Sequence, residues 1–512
     1  MFHEAGIVEM YWMAATLMGM IGGMILLRTW MTSCYKARGL KLPPGPWSWP
    51  IVGCLPFLPK VFPRELLLAK LAEKYGELMM MRVGARTTVV VSSVRMAKEF
   101  LKTHDHLFAN RPNPIAFQYI GFHDTGLSSM ANTSPLFRPT RRMFATDIVS
   151  PRKVATTAHV RREQLLKMLR AIVQDLQQVN VSTAVSSLAM NLALCMNFGK
   201  DYDAHDTEIL VRSFRKMVIL AQQRNISDLF PALRRFDLQG IEAGLKEVEA
   251  QLRQSITALI EKKKLQMSMW SSEEIKDTGI ISKLLSVEGA NRFSEEQLIA
   301  VVFTLLIAGT ESISNVVTES IHEVVSHPHI YERAMAELDA VVGTERLVEE
   351  SDIVKLPFIH NIIKETLRLH APAPTLLPHR NFQACEVGGY HIPANSTVLV
   401  NLHTIMRDPA FWHSPMEFSP DRWNDLSGLK MQGSDFHYIP FGYGERQCPA
   451  ITLGTTTVQY ALAVCLQCVK WRIPAGMERA EFIATPQEPR KKQDLILEGT
   501  LRVVPRLLEI ET

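Results

Sequence analysis

The residues Phe441-Gly442-Tyr443-Gly444-Glu445-Arg446-Gln447-Cys448-Pro449-Ala450 hold the strongest chemical signal in this chain. One cysteine closes a loop of little side-chain bulk and leads into an apolar, helix-like run from Ile451 to Val469. The arrangement predicts a cysteine at a helix N-terminus, where unpaired N–H groups and the positive end of the dipole favour a thiolate. Gly442 and Gly444 let the backbone pass close to something flat, and Pro449 suits a first helical position. A thiolate so placed is a nucleophile or a metal ligand, and the loop alone leaves both open.

A second stretch breaks local rules in the middle of a helix. Ser294 and Gln297 have capping-box spacing and His327-Pro328 is a stop, which predicts a helix of about 32 residues, roughly 48 Å long. Val301 to Ile307 is apolar almost all round and should be buried. Ala308-Gly309-Thr310-Glu311-Ser312 is expected to interrupt it. Glycine inside a helix costs about 1 kcal/mol relative to alanine, and Glu311 sets a carboxylate beside a buried segment. Such conflicts in a central helix mark places where function is expected.

The elements that position these residues are mostly helical. Leu78 to Val91 reads as paired short strands around Gly84-Ala85, and helical periodicity then dominates from about Ser150 to Arg368. Short strand-like pieces return at Tyr390–Ile392 and Val398–Val400, a coil runs from Arg407 to Trp423, and Leu495 to Leu507 reads as a further strand pair. The expected fold class is mainly α with small peripheral β-sheets. With 56 basic against 52 acidic residues the net charge is only +4, which gives no footprint for a nucleic-acid partner. Seven scattered cysteines (34, 54, 195, 385, 448, 465 and 468) fit a reduced, cytosol-facing chain rather than a disulfide framework. Cys465 and Cys468 lie in an apolar helical run and read as core.

Met10 to Leu27 is 18 residues without a charge, with Tyr11 and Trp12 at one end and Arg28, Lys36, Arg38 and Lys41 following. Length, aromatic belt and the basic flank predict an uncleaved signal anchor with the rest of the chain in the cytosol. The expected organisation is an anchor over 1–28, a basic linker and proline hinge (Pro43-Pro44-Gly45-Pro46) over 29–46, and one catalytic domain over 47–512.

Together these features resemble the cytochrome P-450 superfamily, the haem-thiolate monooxygenases. Phe441, Gly444, Arg446 and Cys448 fit the family's F-x-x-G-x-R-x-C-x-G loop, with Ala450 in place of the last glycine. Glu365-Thr366-Leu367-Arg368 matches its E-x-x-R, Arg422 in Pro420-Asp421-Arg422-Trp423 its later P-x-R, and residues 308–312 its (A/G)-G-x-(D/E)-T. Phe108-Ala109-Asn110-Arg111-Pro112 and Lys364 to Pro374 are similar to the plant microsomal branch.

The resemblance implies the cytochrome P-450 fold with an N-terminal transmembrane anchor, and haem b as cofactor. Cys448 is then the metal ligand, and Phe441, Arg446, Arg141 and His379 are cofactor-binding residues. Arg141 stands in Phe137-x-x-x-Arg141, where the family has tryptophan first. Glu365, Arg368 and Arg422 form a structural ion network. Glu311 and Ser312 are the catalytic acid–alcohol pair that delivers protons, with serine replacing the usual threonine. Phe117, Phe303, Ile307, Ala308, Thr375 and Leu376 are expected to line the substrate pocket, and no carboxylate-binding arginine can be placed there from spacing alone.

The expected partners are NADPH–cytochrome P-450 reductase, membrane lipid, O2 and a small, largely apolar or aromatic specialised metabolite (phenylpropanoid, flavonoid, terpenoid or amino-acid derived). The expected location is the endoplasmic-reticulum membrane. A haem-thiolate isomerase or dehydratase needing no reductase is the alternative within enzymes, and a non-catalytic haem-binding protein the alternative outside them. Substrate identity, regiochemistry and oligomeric state are not legible.

Overall fold

The computed structural model describes residues 23, 38–59, 63–123, 125–199, 204–269, 279–286, 293–482 and 494–508. The expected anchor, apart from Gly23, and its flank as far as residue 37 lie outside the described residues. The chain divides into two compact units.

The first unit comprises residues up to Pro112 with Asn225–Leu238 and Thr375–Thr404. Its four-stranded sheet runs in the order Leu78–Val83, Arg86–Val91, Thr397–Val400, His379–Arg380. The first two strands form the expected antiparallel hairpin, turning at Gly84 with φ +60°. Arg86–Val91 then pairs in parallel with Thr397–Val400, Val89 opposite Val398. Leu68 of the helix Arg64–Tyr75 packs with Met79, Met81, Val90 and Leu399. The proline hinge lies against this sheet: the Met80 N–H donates to Pro44 O at 2.8 Å. A Cβ on Gly45 would stand 1.8 Å from the Met80 carbonyl oxygen, so only glycine fits. A two-glycine turn, Gly388-Gly389 at φ +58° and +78°, closes a second hairpin of Cys385–Val387 and Tyr390–Ile392.

The second unit, Asn113–Arg224, Gln239–Pro374 and Ile405–Thr512, is mainly helical. Its axis is the helix Glu295–Ser326, whose 32 residues match the expected length. The capping box is formed: Ser294 Oγ accepts the Gln297 N–H, and Gln297 Oε1 accepts the Ser294 N–H at 2.8 Å. This helix packs along Val181–Phe198, and both are long and apolar enough to cross a membrane. Here they are core helices. Buried Val302, Phe303 and Leu306 belong to one apolar cluster with Leu194, Phe198, Phe214 and Leu252, each such side chain contributing about 1.5–3 kcal/mol.

Two local expectations are corrected. Leu495 to Leu507 is not a strand pair: one strand, Ile496–Leu501, lies between Val469–Arg472 and Val179–Asn180. Pro505 then opens a 3-10 turn, Pro505–Leu508, because a residue without an N–H cannot extend the ladder. The central helix is also not interrupted at 308–312. Thr310 Oγ1 donates to Leu306 O and Ser312 Oγ to Ala308 O, both at 2.7 Å, so the hydroxyls bond back along a continuous helix.

Candidate active site

The Cys448 loop is shaped by its glycines. Gly442 and Gly444 sit at φ +72° and +75°, which side chains disfavour. The backbone folds back so that the Cys448 N–H donates to Phe441 O at 3.0 Å. The helix Ile451–Cys468 starts later than expected: Ala450 is its cap and Pro449 lies outside it. The Ala450 N–H still bonds to the Cys448 sulfur. Burial pushes the Cys448 thiol up, against the lowering effects of that N–H and of Arg141. The backbone N–H thus favours a thiolate as expected, and burial outweighs it.

Two guanidiniums tie this loop to neighbouring segments of the same unit. Arg446 donates to the carbonyls of Leu127 (3.2 Å) and Met130, and its guanidinium carbon lies 4.3 Å over the Phe137 ring. Arg141 donates to the Gln447 carbonyl. Phe137, where the family has tryptophan, thus serves as a platform for Arg446, a role that spacing did not reveal.

On the central helix, Ala308 and Glu311 are exposed, while Ile307 and Ser312 are half-buried. Residues three and four apart share a helix face, so Ala308, Glu311 and Ser312 mark an open patch on a helix otherwise largely buried. Gly309 faces Ala193, where an added Cβ would make ordinary contact at 3.9 Å. Phe303 is 1 % exposed, its ring 4.4 Å from that of Phe122 and 5.2 Å from that of Phe214. Aromatic neighbours from two other segments enclose the Phe303 ring and hold it in the core. Phe117 is half-buried on the helix Ile115–Ile120.

Glu365, Arg368 and Arg422 are brought together. Glu365 accepts two hydrogen bonds from Arg368 (2.8 and 2.9 Å) and one from Arg422 (2.8 Å). The Ser419 N–H and the Trp423 indole N–H add two more at 3.0 Å, and Trp423 is the partner that motif spacing missed.

The comparisons with known proteins agree with one another. Residues 43–491 match the family model "Cytochrome P450". Flavonoid 3'-monooxygenase of Arabidopsis thaliana is 32% identical over 467 residues, covering 88% of this chain and 90% of that protein. The chain belongs to the cytochrome P-450 family. It is an oxidoreductase of the monooxygenase class, and the family implies a haem iron. Premnaspirodiene oxygenase of Hyoscyamus muticus is 29% identical, with 93% and 96% covered. A zebra fish cytochrome P450 solved with abiraterone has a TM-score of 0.68 at 23% identity, covering 86% of this chain and 100% of that one, a likeness of fold.

The residues present fit such a cofactor. Among the described residues no group of three or more His, Cys, Asp or Glu could hold a metal ion by itself. Cys448 therefore offers one soft ligand for a metal whose other ligands come from elsewhere, as a porphyrin supplies them. The burial that disfavours its bare thiolate leaves a cation at the sulfur as the stabilising partner for the charge.

The remaining expected cytochrome P-450 residues lie in the sheet unit. His379 is 3 % exposed, its Nδ1 3.1 Å from the Phe108 carbonyl. If Nδ1 carries the donated proton, only the imidazolium form could also donate from Nε2 to a carboxylate. Thr375 and Leu376 are buried at the sheet edge, where the Leu376 N–H donates to Val400 O at 3.1 Å.

Beside the Glu365 network, Lys364 is 5 % exposed with its ammonium 4.2 Å over the Trp423 ring. Burial pushes the Lys364 amine down to about 8. A lysine with a lowered folded-state pKa destabilises the fold below that pKa, and the penalty fades as pH rises toward the unfolded value near 10.4. The full shift is worth about 3 kcal/mol, which the cation–π contact offsets by about 1–2 kcal/mol. Lys364→Met is therefore expected to raise the thermal midpoint at pH 7 and to raise it less at pH 9, as read by calorimetry at both. An equal gain at the two values would contradict the assigned cause.

Proposed function

We propose that the chain is a membrane-anchored monooxygenase that takes electrons from NADPH through cytochrome P-450 reductase. It inserts one oxygen atom of O2 into a small, largely apolar or aromatic metabolite. The observation that carries this reading is the lone Cys448 sulfur on its glycine-shaped loop, in a helical unit whose central helix opens at Ala308, Glu311 and Ser312. Haem held by a thiolate activates O2 when bound. Cys448 would ligate it, Arg446, Arg141 and His379 would pair with its carboxylates, and Phe441 would flank it.

Ser312 moves a proton in this reading. Its hydroxyl now donates to Ala308 O, which leaves the oxygen free to accept from a water. Turning the hydroxyl away from the carbonyl passes a proton on, and the exposed Glu311 carboxylate can exchange protons with solvent. Phe117, Ile307, Ala308, Thr375 and Leu376 are the pocket residues of this proposal.

Flavonoid and premnaspirodiene oxygenases among the relatives support an apolar or aromatic substrate without selecting one. The membrane reading assigns residues 1–28 to an anchor in the endoplasmic reticulum, 29–46 to the linker and 47–512 to the cytosolic catalytic domain. Exposed Trp47, Ile51, Phe57, Phe236 and Leu238, all in the sheet unit, support contact of that unit with lipid.

The test is co-expression with the reductase in microsomes. Product is expected only with NADPH, and product formed without it would favour the reductase-independent isomerase. Ser312→Ala is expected to lower product formed per NADPH by about tenfold, less than the roughly 10²–10⁴-fold of a positioned proton-transfer group, since water partly fills in. An unchanged ratio would remove Ser312 from the relay.

A further inference from the structure

The short helix Phe137–Met143 meets the Cys448 loop with two side chains one turn apart, Phe137 and Arg141. Arg141 donates to the Gln447 carbonyl, and the Phe137 ring lies 4.3 Å under the Arg446 guanidinium carbon. The two residues directly before Cys448 are therefore held from one helix of the same unit. Arg446 and Cys448 are two positions apart, so their Cα atoms lie within about 7 Å of each other. The cation thus belongs to the electrostatic surroundings of the sulfur.

Two carbonyls and one ring fix this guanidinium. Nη1 donates to Leu127 O at 3.2 Å and Nη2 to Met130 O, both in the plane of the fork. Two point contacts define an axis, and the plane can still turn about it. The Phe137 ring against one face removes that freedom. The ring itself is held, since Phe137 is 1 % exposed and shares an apolar core with Leu127 and Met130. The acceptors are held too: the Met130 N–H donates to Gly126 O at 2.9 Å, and the buried Ser129 hydroxyl lies 3.1 Å from the same oxygen. Phenylalanine has no N–H to give, where the family's tryptophan has one. Its contribution must come through the face of the ring, and that face is in use.

We propose that Phe137 is a positioning residue whose ring orients Arg446, and that through Arg446 it sets how firmly haem is held and how readily the iron is reduced. This rests on the reading of Cys448 as the haem ligand. Reduction adds one negative charge at the iron, so a cation kept nearby favours the reduced form. A guanidinium free to turn toward water favours it less and is a weaker partner for a haem carboxylate.

The experiment measures the haem reduction potential by spectroelectrochemistry, and haem loss to apomyoglobin, in the full-length holoenzyme. Phe137→Leu and Phe137→Met remove the π face and keep an apolar side chain. A unit charge displaced by a few ångström at an effective dielectric of about 20 changes an equilibrium by about three- to tenfold. The reduction equilibrium is expected to move toward the oxidised form by that factor, about 30–60 mV at roughly 59 mV per tenfold for one electron. Haem loss is expected to be about three- to tenfold faster, the range of a partly desolvated cation–π contact. Phe137→Trp keeps a π face and should stay within about twofold of the unaltered protein on both measures. Phe144→Leu removes another ring of the same core and is the control for lost packing, with the potential unchanged.

An unchanged potential in Phe137→Leu and Phe137→Met overturns the proposal, as does an equal fall in Phe144→Leu. A double-mutant cycle assigns the path. Arg446→Lys keeps the charge without the planar fork, so in that background Phe137→Leu should add no further shift, and an undiminished one overturns the role of Arg446. Complete haem loss from both Phe137 variants, with helix content intact by circular dichroism and Phe144→Leu still loaded, is the same effect at its limit and supports the proposal. Equal haem loss from Phe144→Leu would reduce it to packing and overturn it. The carbon monoxide spectrum of the unaltered protein is read first: without the thiolate-type shift the haem-ligand reading fails, whereas failure of the Phe137 proposal leaves that spectrum in place.

Discussion

Cys448→Ala is expected to give a folded protein with little haem, no thiolate-type carbon monoxide spectrum and no product. The change spares the local backbone, because the bond that closes the loop runs from the Cys448 N–H to Phe441 O and does not involve the side chain. Gly442 and Gly444 keep their turns, and Arg446 keeps its seat over Phe137. What is lost is the sulfur, and no other described cysteine lies on this loop. Cys54, Cys195, Cys465 and Cys468 are buried, and burial pushes Cys465 and Cys468 up to about 12. Cys385 is half-buried in the hairpin Cys385–Val387 with Tyr390–Ile392. Haem-to-protein ratio and the carbon monoxide spectrum are the measurements, with circular dichroism to show an unchanged helix content. A Cys448→Ala protein that keeps the thiolate-type spectrum would remove Cys448 as the metal ligand.

How much of this was legible in the chain depended on whether the deciding contact was local. The capping box at Ser294 and Gln297 and the hairpin at Gly84 rest on residues within a few positions, and their spacing is enough. The strand at Ile496–Leu501 was misread because its partners, Val469–Arg472 and Val179–Asn180, are distant in sequence. Phe303 has the right type for a pocket wall, but Phe122 and Phe214 decide where its ring goes, and neither lies on the same helix. Helix-end N–H groups near Cys448 can be counted from sequence, whereas the burial that outweighs them cannot. Arg64 shows the limit most clearly. Nothing near it in sequence points to Thr375, and only the fold brings the two together, 311 positions apart.

Glu365→Ala is expected to be the most destabilising single change in the helical unit, by about 3–5 kcal/mol. The carboxylate is the sole acid in a fully buried cluster: Glu365 and Arg368 are both 0 % exposed, and Trp423 is 2 % exposed. Its removal strands two guanidiniums and an indole N–H at once, and a buried charge without its partner costs more than the pair ever contributed. Total stabilities of about 5–15 kcal/mol leave little margin for such a loss. Glu365→Gln tests the reason. The amide is isosteric, but its NH2 must face donors, since one carboxylate oxygen takes Arg368, Arg422 and Ser419 while the other takes Arg368 and Trp423. It should therefore recover only part of the stability, in urea unfolding of the haem-loaded protein, and pairing it with Trp423→Phe should recover more by deleting one of the opposed donors. The effect should also reach haem retention. Arg368 donates to the carbonyls of Met406, Pro415 and Glu417, and so pins the coil that leads on toward the Cys448 loop. Full stability with altered haem retention, or the reverse, would show that the network and the loop are not coupled through that coil.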